Sequence, residues 1–255
     1  MSSTTTVRLS LSRLFSAEWL KLRTLRSSWV CAVAAVVLPI GGALLLGLAH
    51  TDPDFVEGVT ARDAVSSVLS SSAALSQISI MALAVLVLGS EYTGGAIRVT
   101  FVAAPRRLTV MAAKALLVAA VATVLAALSV GLGYATALPF LTHASLTGVP
   151  FGTVLGLIGA EIGYCVLVAL FAFAVTLAVR NTAAGIGLAL GAVLLLRVVL
   201  AVLDIWVGFD LTGLAFSVAA TRVLRDPLSV ALPVVLAWLA VPAVLGSLTL
   251  VRRDA

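Results

Sequence analysis

Residues 115–160 read ALLVAAVATVLAALSVGLGYATALPFLTHASLTGVPFGTVLGLIGA and contain no Asp, Glu, Lys or Arg over 46 positions. A bilayer core about 30 Å thick is crossed by about 20 apolar residues in an α-helix. This run is therefore too long for one membrane span and long enough for two. Pro139 and Pro150 are expected to bracket a turn within it, because proline interrupts regular structure. The run predicts two spans, at roughly 112–138 and 152–179.

The same criterion predicts four further spans on either side of this run. They lie at about 29–49, 66–90, 183–203 and 229–251. The composition agrees, since 62% of the residues are hydrophobic and 11% are charged, whereas a soluble domain is about half apolar and about a quarter charged. The predicted fold class is all-α, a polytopic membrane protein with six transmembrane helices in a single domain over 1–255.

Lysine and arginine are distributed unequally between the two sides of this predicted bundle. Of the 16 basic residues, twelve flank the side that holds both termini, three flank the other side, and Arg197 lies within a predicted span. Basic residues are enriched in cytoplasmic loops, so we expect both termini in the cytoplasm. The excess of Arg over Lys is typical of a high-GC bacterial genome, and the predicted location is a bacterial plasma membrane. A net charge of +5 that is scattered in this way does not indicate a nucleic-acid partner.

Residues 9–27, ahead of the first span, have the pattern of a basic amphipathic helix that lies on lipid in the membrane interface. Glu18 lies in the middle of the apolar face of this helix. A carboxylate there either reaches water at the surface or needs a partner in a polar pocket, and both interpretations remain open. The apolar face consists of Leu11, Leu14, Phe15, Trp19, Leu22 and Leu25.

The second span carries an unusual number of hydroxyl side chains, followed by Gln77. Small residues allow close packing of membrane helices, which is the favoured interpretation of the serines. A polar translocation surface is the alternative, and Gln77 is harder to assign to packing alone. The serines are Ser66, Ser67, Ser70, Ser71, Ser72, Ser76 and Ser79.

Glu161 and Arg197 are the charged residues well inside predicted spans, on helices four and five. Counted from the turn at 180–182, their depths differ by four residues, which is about 6 Å along a helix. Ion pairing is the usual way to keep such charges in lipid, so we expect these two side chains to pair. The functional alternative is a proton or substrate site at Glu161.

Residues 204–228 form a long connection between spans five and six. The apolar stretch at 211–220 is too short to cross a membrane, and such stretches often re-enter the bilayer or lie at its surface. Trp206, Phe209 and Phe216 fit the pattern of interfacial aromatic residues.

Signatures of common catalytic sites are missing from the sequence. Lys21 and Lys114 follow Leu20 and Ala113, whereas a P-loop lysine follows glycine. The chain also lacks the HExxH and GxSxG motifs of zinc proteases and serine hydrolases. We therefore expect no enzyme activity in the chain itself, no cofactor and no metal site.

The segment between spans two and three reads EYTGGAIRVTFVAAPRR from Glu91 to Arg107. Gly94-Gly95 interrupts the second span, and Pro105 can end a short helix. Between these breaks lies one apolar stretch that contains Ile97 and Phe101. An apolar stretch flanked by charges on the cytoplasmic side is suited to docking a soluble partner.

This segment, with the downstream Lys114, resembles the permease subunits of type-2 ATP-binding-cassette exporters. The segment from Glu18 to Trp29, with Trp19, Lys21 and Arg23, is similar to the entry helix of that family. The resemblance implies an ATPase-coupling loop formed by Glu91, Gly94, Gly95, Ile97, Phe101, Pro105, Arg106 and Arg107. It also implies a short re-entrant element at 211–226.

The function implied by this resemblance is that of the membrane subunit of an ATP-driven exporter. Its expected partners are two copies of a cytoplasmic ATP-binding subunit, a second copy of the permease or a sibling permease, and membrane lipid. Two alternatives belong to other classes. One is a proton-coupled secondary transporter that uses Glu161, and the other is a membrane assembly or immunity factor that transports nothing.

Overall fold

A computed structural model gives the fold, and it describes residues 11–93, 107–226 and 230–252. Every regular element in these ranges is helical. The main helices are α1 Leu11–Thr24, α2 Arg26–Ala49, α3 Pro53–Val56, α4 Ala61–Thr93, α5 Arg107–His143, α6 Phe151–Val179, α7 Thr182–Val207, α8 Phe216–Arg225 and α9 Leu232–Arg252.

Six of the described helices, α2, α4, α5, α6, α7 and α9, are long and apolar enough to cross a membrane. The prediction of an all-α fold with six membrane-length helices is therefore confirmed. Helix α4 runs from Ala61 to Thr93, beyond the predicted span at both ends. It begins where Thr60 and Asp63 cap each other, because the Thr60 hydroxyl accepts from the Asp63 amide and donates to the Asp63 carboxylate at 2.6 Å. The Thr60 hydroxyl thereby satisfies one of the amides that are left unpaired at a helix start.

Helices α4 and α6 form the centre of the bundle. Helix α4 packs against α2, α5, α6 and the first half of α7, and α6 packs in addition against α8 and α9. Ser72 is fully buried where α4 crosses α5. A Cβ atom added to Gly133 of α5 would clash with the Oγ of Ser72. Small side chains therefore set the distance between these helices, as the packing interpretation of the second-span serines predicts.

An even number of crossings puts α1, the end of α4, the start of α5, the 180–182 turn and the end of α9 at one end of the bundle. We call this the basic end, and the opposite end, which carries α3 and α8, the acidic end. The loop residues Gly94, Gly95, Ile97, Phe101, Pro105 and Arg106 lie outside the described residues. The structure therefore leaves the proposed form of the coupling loop a prediction.

Helix α7 departs from regular α geometry in its middle. A π-helical turn spans Gly191–Leu195, and in the part that follows, Leu196–Val207, the structure gives no buried residue. Asp204 then accepts hydrogen bonds from the backbone amides of Leu211 (2.6 Å) and Thr212 (3.1 Å). This carboxylate fixes the turn that leads the chain back into α8.

The short helix α8 packs onto α6 and α9. Phe216, at its start, is fully buried and stacks on Phe171 of α6 with ring centroids 4.7 Å apart. Trp206 and Phe209 are largely exposed. The interpretation of Phe216 as an interfacial residue is therefore wrong, because its ring fills a space in the core that α6 and Trp238 enclose. The re-entrant position of 211–226 relative to a membrane stays a prediction.

Candidate functional site

A cluster of four charged side chains lies at the basic end, next to the segment 94–106. Glu18 and Lys21 come from α1, Glu91 from the last turn of α4, and Lys114 from the second turn of α5. Glu18 and Glu91 are buried, and Lys114 is fully buried. We call these four residues the ion cluster.

Lys114 is the centre of the ion cluster. Its Nζ donates a hydrogen bond to Oε1 of Glu91 at 2.8 Å and another to Oε2 of Glu18. The two carboxylates lie 23 and 96 residues from Lys114 in the sequence. One ammonium group thus ties α5 to both α4 and α1.

Lys21 closes the cluster from the outside. Its Nζ donates to Oε1 of Glu91 at 2.8 Å and to Oε1 of Glu18 at 3.2 Å. Burial alone would lower the pKa of Lys21, but the hydrogen bond and charge of Glu91, with those of Glu18, outweigh it and raise the pKa above its ordinary value. Lys21 therefore stays protonated at any physiological pH.

The charges of the ion cluster balance, with two carboxylates and two ammonium groups. A buried charge is tolerated when it is paired and hydrogen-bonded, and removing one partner of a buried pair costs about 3–5 kcal/mol. The side chain of Lys21 is 49% exposed, so water screens its share of this energy. Lys114 has no such screening and is the residue on which the cluster depends.

Glu18 illustrates a question that the sequence left open. Its position on the apolar face of α1 allowed either a path to water or a buried partner. The structure places it among Lys114 and Lys21, with Leu22 of the same helix packed on the core. The face of α1 that carries Glu18 therefore lies against protein, which excludes the interpretation that Glu18 reaches water.

The other predicted entry-helix residues surround the cluster without joining it. Trp19 and Arg23 are exposed and line an apolar groove of about 670 Å3 between α1, α2 and α5. Trp29 of α2 donates its indole N–H to the Arg23 carbonyl at 2.9 Å. This hydrogen bond fixes the bend between α1 and α2, so the C-terminal half of α1 is held both by α2 and by the ion cluster.

The ion cluster brackets the predicted coupling loop. Glu91 lies two residues before the end of α4, and Lys114 lies seven residues after the start of α5 at Arg107. Their 2.8 Å hydrogen bond holds together the two helices that the segment 94–106 connects. A force applied to this segment would therefore be passed to α1, α4 and α5 together.

The expected ion pair between Glu161 and Arg197 is not formed in the part of the chain that the structure describes. Both residues line one polar cavity, as their similar depth predicts. However, Glu161 is buried on α6, whereas Arg197 is exposed on the distal half of α7. Helix α8 packs on α6 and supplies Arg225 as the opposing charge at Glu161.

Sequence reasoning missed two features of these sites. The sequence identifies Lys114 only as part of a family pattern, although a Glu18 on the apolar face of a helix, in a chain with two lysines, is a signal for such a partner. It also did not pair Gln77, whose Oε1 accepts a hydrogen bond from the Tyr164 hydroxyl at 2.6 Å. No sequence spacing indicates that contact, because 87 residues separate the two side chains.

Residues 14–199 match the sequence model of a family described as ABC-2 family transporter protein. The match begins within α1 and ends within α7, so it includes all four residues of the ion cluster. No curated protein matches the chain.

Proposed function

The chain belongs to the ABC-2 family of transporter proteins and is a membrane subunit of an ABC transporter, and on this premise we propose that it is the permease of an ATP-driven exporter. ATP is hydrolysed on a separate cytoplasmic subunit. The segment 93–104 is the surface on which that subunit docks, with Glu91, Arg106 and Arg107 fixing its position.

The observation that carries this proposal is the hydrogen bond from Lys114 to Glu91. A loop that transmits work must be attached rigidly to the helices that it moves. The ion cluster provides such an attachment, because it joins the helices on both sides of the loop to α1. If the loop served only to place basic residues in the cytoplasm and so to set the membrane orientation, it would need no buried charged residues in the helices next to it.

Two copies of the ATP-binding subunit imply two permease subunits in the complex, either two copies of this chain or this chain with a sibling. The distal half of α7 and most of α9 expose apolar side chains, which leaves room for such a partner as well as for lipid. The proton-coupled alternative is less favoured, because membership of the ABC-2 family points to a partner ATPase as the energy source.

The test is Phe101→Asp in the tagged full-length permease. Aromatic side chains are common anchors in protein interfaces, so a carboxylate at this position should abolish copurification of the ATP-binding subunit. Membrane insertion should be unchanged, because residue 101 lies outside the spans that the sequence predicts. Phe101→Leu, which keeps the apolar surface, is the matched control and should retain the partner.

The readout is an ATPase that copurifies with the wild-type permease and is identified by its P-loop sequence and its ATP hydrolysis. Retention of this subunit by Phe101→Asp at the wild-type ratio would exclude the segment as the docking surface. Absence of any P-loop protein from the wild-type complex would contradict the proposed function as a whole.

A further inference from the structure

A polar cavity of about 410 Å3 lies between α4, α6, α7 and α8, apart from the ion cluster. Three arginines, Arg197, Arg222 and Arg225, and one acid, Glu161, line it. Cavities of about 300–1,000 Å3 are typical of small-molecule sites. The cavity is therefore large enough for the polar part of a ligand, and its lining carries more positive than negative charge.

The arginines of this cavity are not all neutralised by protein. Arg222 pairs with Asp210 at 3.0 Å. Within the described ranges neither Arg197 nor Arg225 has a carboxylate within 4.0 Å, and the charge of Glu161 is opposed by Arg225 from a longer distance, which leaves Arg197 without an acidic partner. Arg197 belongs to a membrane-length helix. An ionisable residue inside a span is costly and marks a ligand or ion pathway unless it is paired.

A second observation on the same wall points to a ligand. Ser217 of α8 is 7% exposed, and its buried Oγ has no hydrogen-bond partner among the described residues. In contrast, Tyr164 and Gln77, which also line the cavity, are hydrogen-bonded to each other. A buried hydroxyl without a partner is unfavourable, and an anion in the cavity would accept a hydrogen bond from it.

The chemistry of the lining selects anions that accept several hydrogen bonds. Guanidinium groups bind phosphate and carboxylate through two parallel hydrogen bonds, and they lose less hydration energy than an ammonium group does. Among the described residues that line the cavity, Glu161 is the one acid, and it faces the charge of Arg225. A cationic ligand would meet more repulsion than attraction here.

The surroundings of Arg197 indicate an amphiphile. Its side chain is exposed, and its neighbours Val198, Val199 and Val202 expose apolar side chains on the same helix. The cavity is therefore bordered at Arg197 by the exposed apolar surface of the distal half of α7. Arg225 also lines a second cavity of about 600 Å3, with Arg62 and Thr153, nearer the acidic end.

We propose that the cavity between α4, α6, α7 and α8 binds the anionic head group of an amphiphile, with Arg197 and Arg225 contacting the head group and Ser217 donating to it. The apolar tail lies along the exposed side of α7. The second cavity also contains Arg225 in its lining, and together the two cavities form a polar path for the head group toward the acidic end. This inference rests on the proposed function, for which it names the class of cargo.

Binding of dodecyl phosphate to the purified full-length permease in a neutral detergent, measured by titration calorimetry, tests the proposal. The wild-type protein should bind dodecyl phosphate more tightly than dodecylphosphocholine, whose head group has no net charge. Arg197→Gln should raise the dissociation constant for dodecyl phosphate about tenfold. Arg26→Gln, which removes an exposed arginine at the basic end, is the matched control and should change it less than about twofold.

The outcomes separate the possibilities. Equal weakening by Arg197→Gln and Arg26→Gln, or equal affinity for the two amphiphiles, would overturn the proposal. Equal affinity for inorganic phosphate and dodecyl phosphate would show a site for a free anion and would overturn the assignment to an amphiphile. Arg225→Gln is a second variant that should weaken binding in the same direction.

The binding test needs no ATPase, so it fails or succeeds independently of the proposed function. Selective binding of dodecyl phosphate by a permease that recruits no ATP-binding subunit would leave the site in place and defeat ATP coupling. If the permease recruits the ATP-binding subunit but does not bind dodecyl phosphate selectively, the proposed ATP coupling is retained and the proposed head-group site is contradicted.

Discussion

Lys114 and Glu91 form a 2.8 Å hydrogen bond between α5 and α4, and the segment that connects these helices is the predicted docking surface for an ATPase. Lys114 is fully buried, and the same ammonium group also holds Glu18 of α1. Lys114 thus links the entry helix α1 to α4 and α5, the two helices on either side of the docking segment.

The first prediction concerns the ion cluster. Lys114→Met leaves two buried carboxylates with only Lys21 as a partner, and it should lower the free energy of unfolding by about 3–5 kcal/mol. The measurement is thermal unfolding of the detergent-solubilised protein, followed by size-exclusion chromatography. Lys21→Met is the matched control and should have a smaller effect, because the Lys21 side chain is half exposed.

The double variant Lys114→Met with Glu18→Gln sharpens this prediction. It restores charge balance, since Lys21 and Glu91 remain, and it should recover part of the lost stability. A wild-type unfolding temperature for Lys114→Met alone would show that the cluster does not hold the three helices together.

The second prediction concerns the partner of Glu161. Because Arg225 supplies the opposing charge at Glu161, the destabilisation caused by Glu161→Gln should be partly reversed by Arg225→Gln. Arg197→Gln, which removes an arginine from the same cavity, should not reverse it. A double-mutant cycle on unfolding temperatures measures both couplings. A larger coupling with Arg197 would restore the pairing expected from helix depth.

The third prediction concerns the contact between α9 and α6. A Cβ on Gly246 would lie 2.9 Å from the backbone carbonyl carbon of Leu177 and 3.0 Å from the amide nitrogen of Ala178. Backbone cannot move aside as a side chain can, so Gly246→Ala should destabilise the protein by about 1–3 kcal/mol. Gly187→Ala is the control, because a Cβ there has no atom within 4 Å. Equal unfolding temperatures for both variants would contradict the contact.

The fourth prediction concerns orientation. The excess of basic residues at the basic end predicts that both termini lie in the cytoplasm. A phosphatase reporter that is active only outside the cytoplasm should be inactive when fused after Ala255. The same reporter inserted after Gly58, in the connection between α2 and α4, should be active. The reverse pattern would invert the topology and remove the docking segment from the side where an ATPase could reach it.

The sequence by itself determined the six membrane-length helices and the ends at which charges collect. These features depend on local quantities, since the cost of moving a charge into lipid and the length of an apolar run are set within about 20 residues. It also showed that Glu18 needs either water or a partner, because its position on the apolar face of one helix is a local property.

Only the tertiary structure decided which partner each charge has. Glu18 meets Lys114 across 96 residues, and Glu161 faces Arg225 of α8, whereas Arg197 stands apart on the distal half of α7. Helix periodicity gives the depth of a side chain and its position around one helix. Which helices are neighbours, and whether α8 packs onto α6, depends on packing between distant segments, and no local pattern in the chain contains that information.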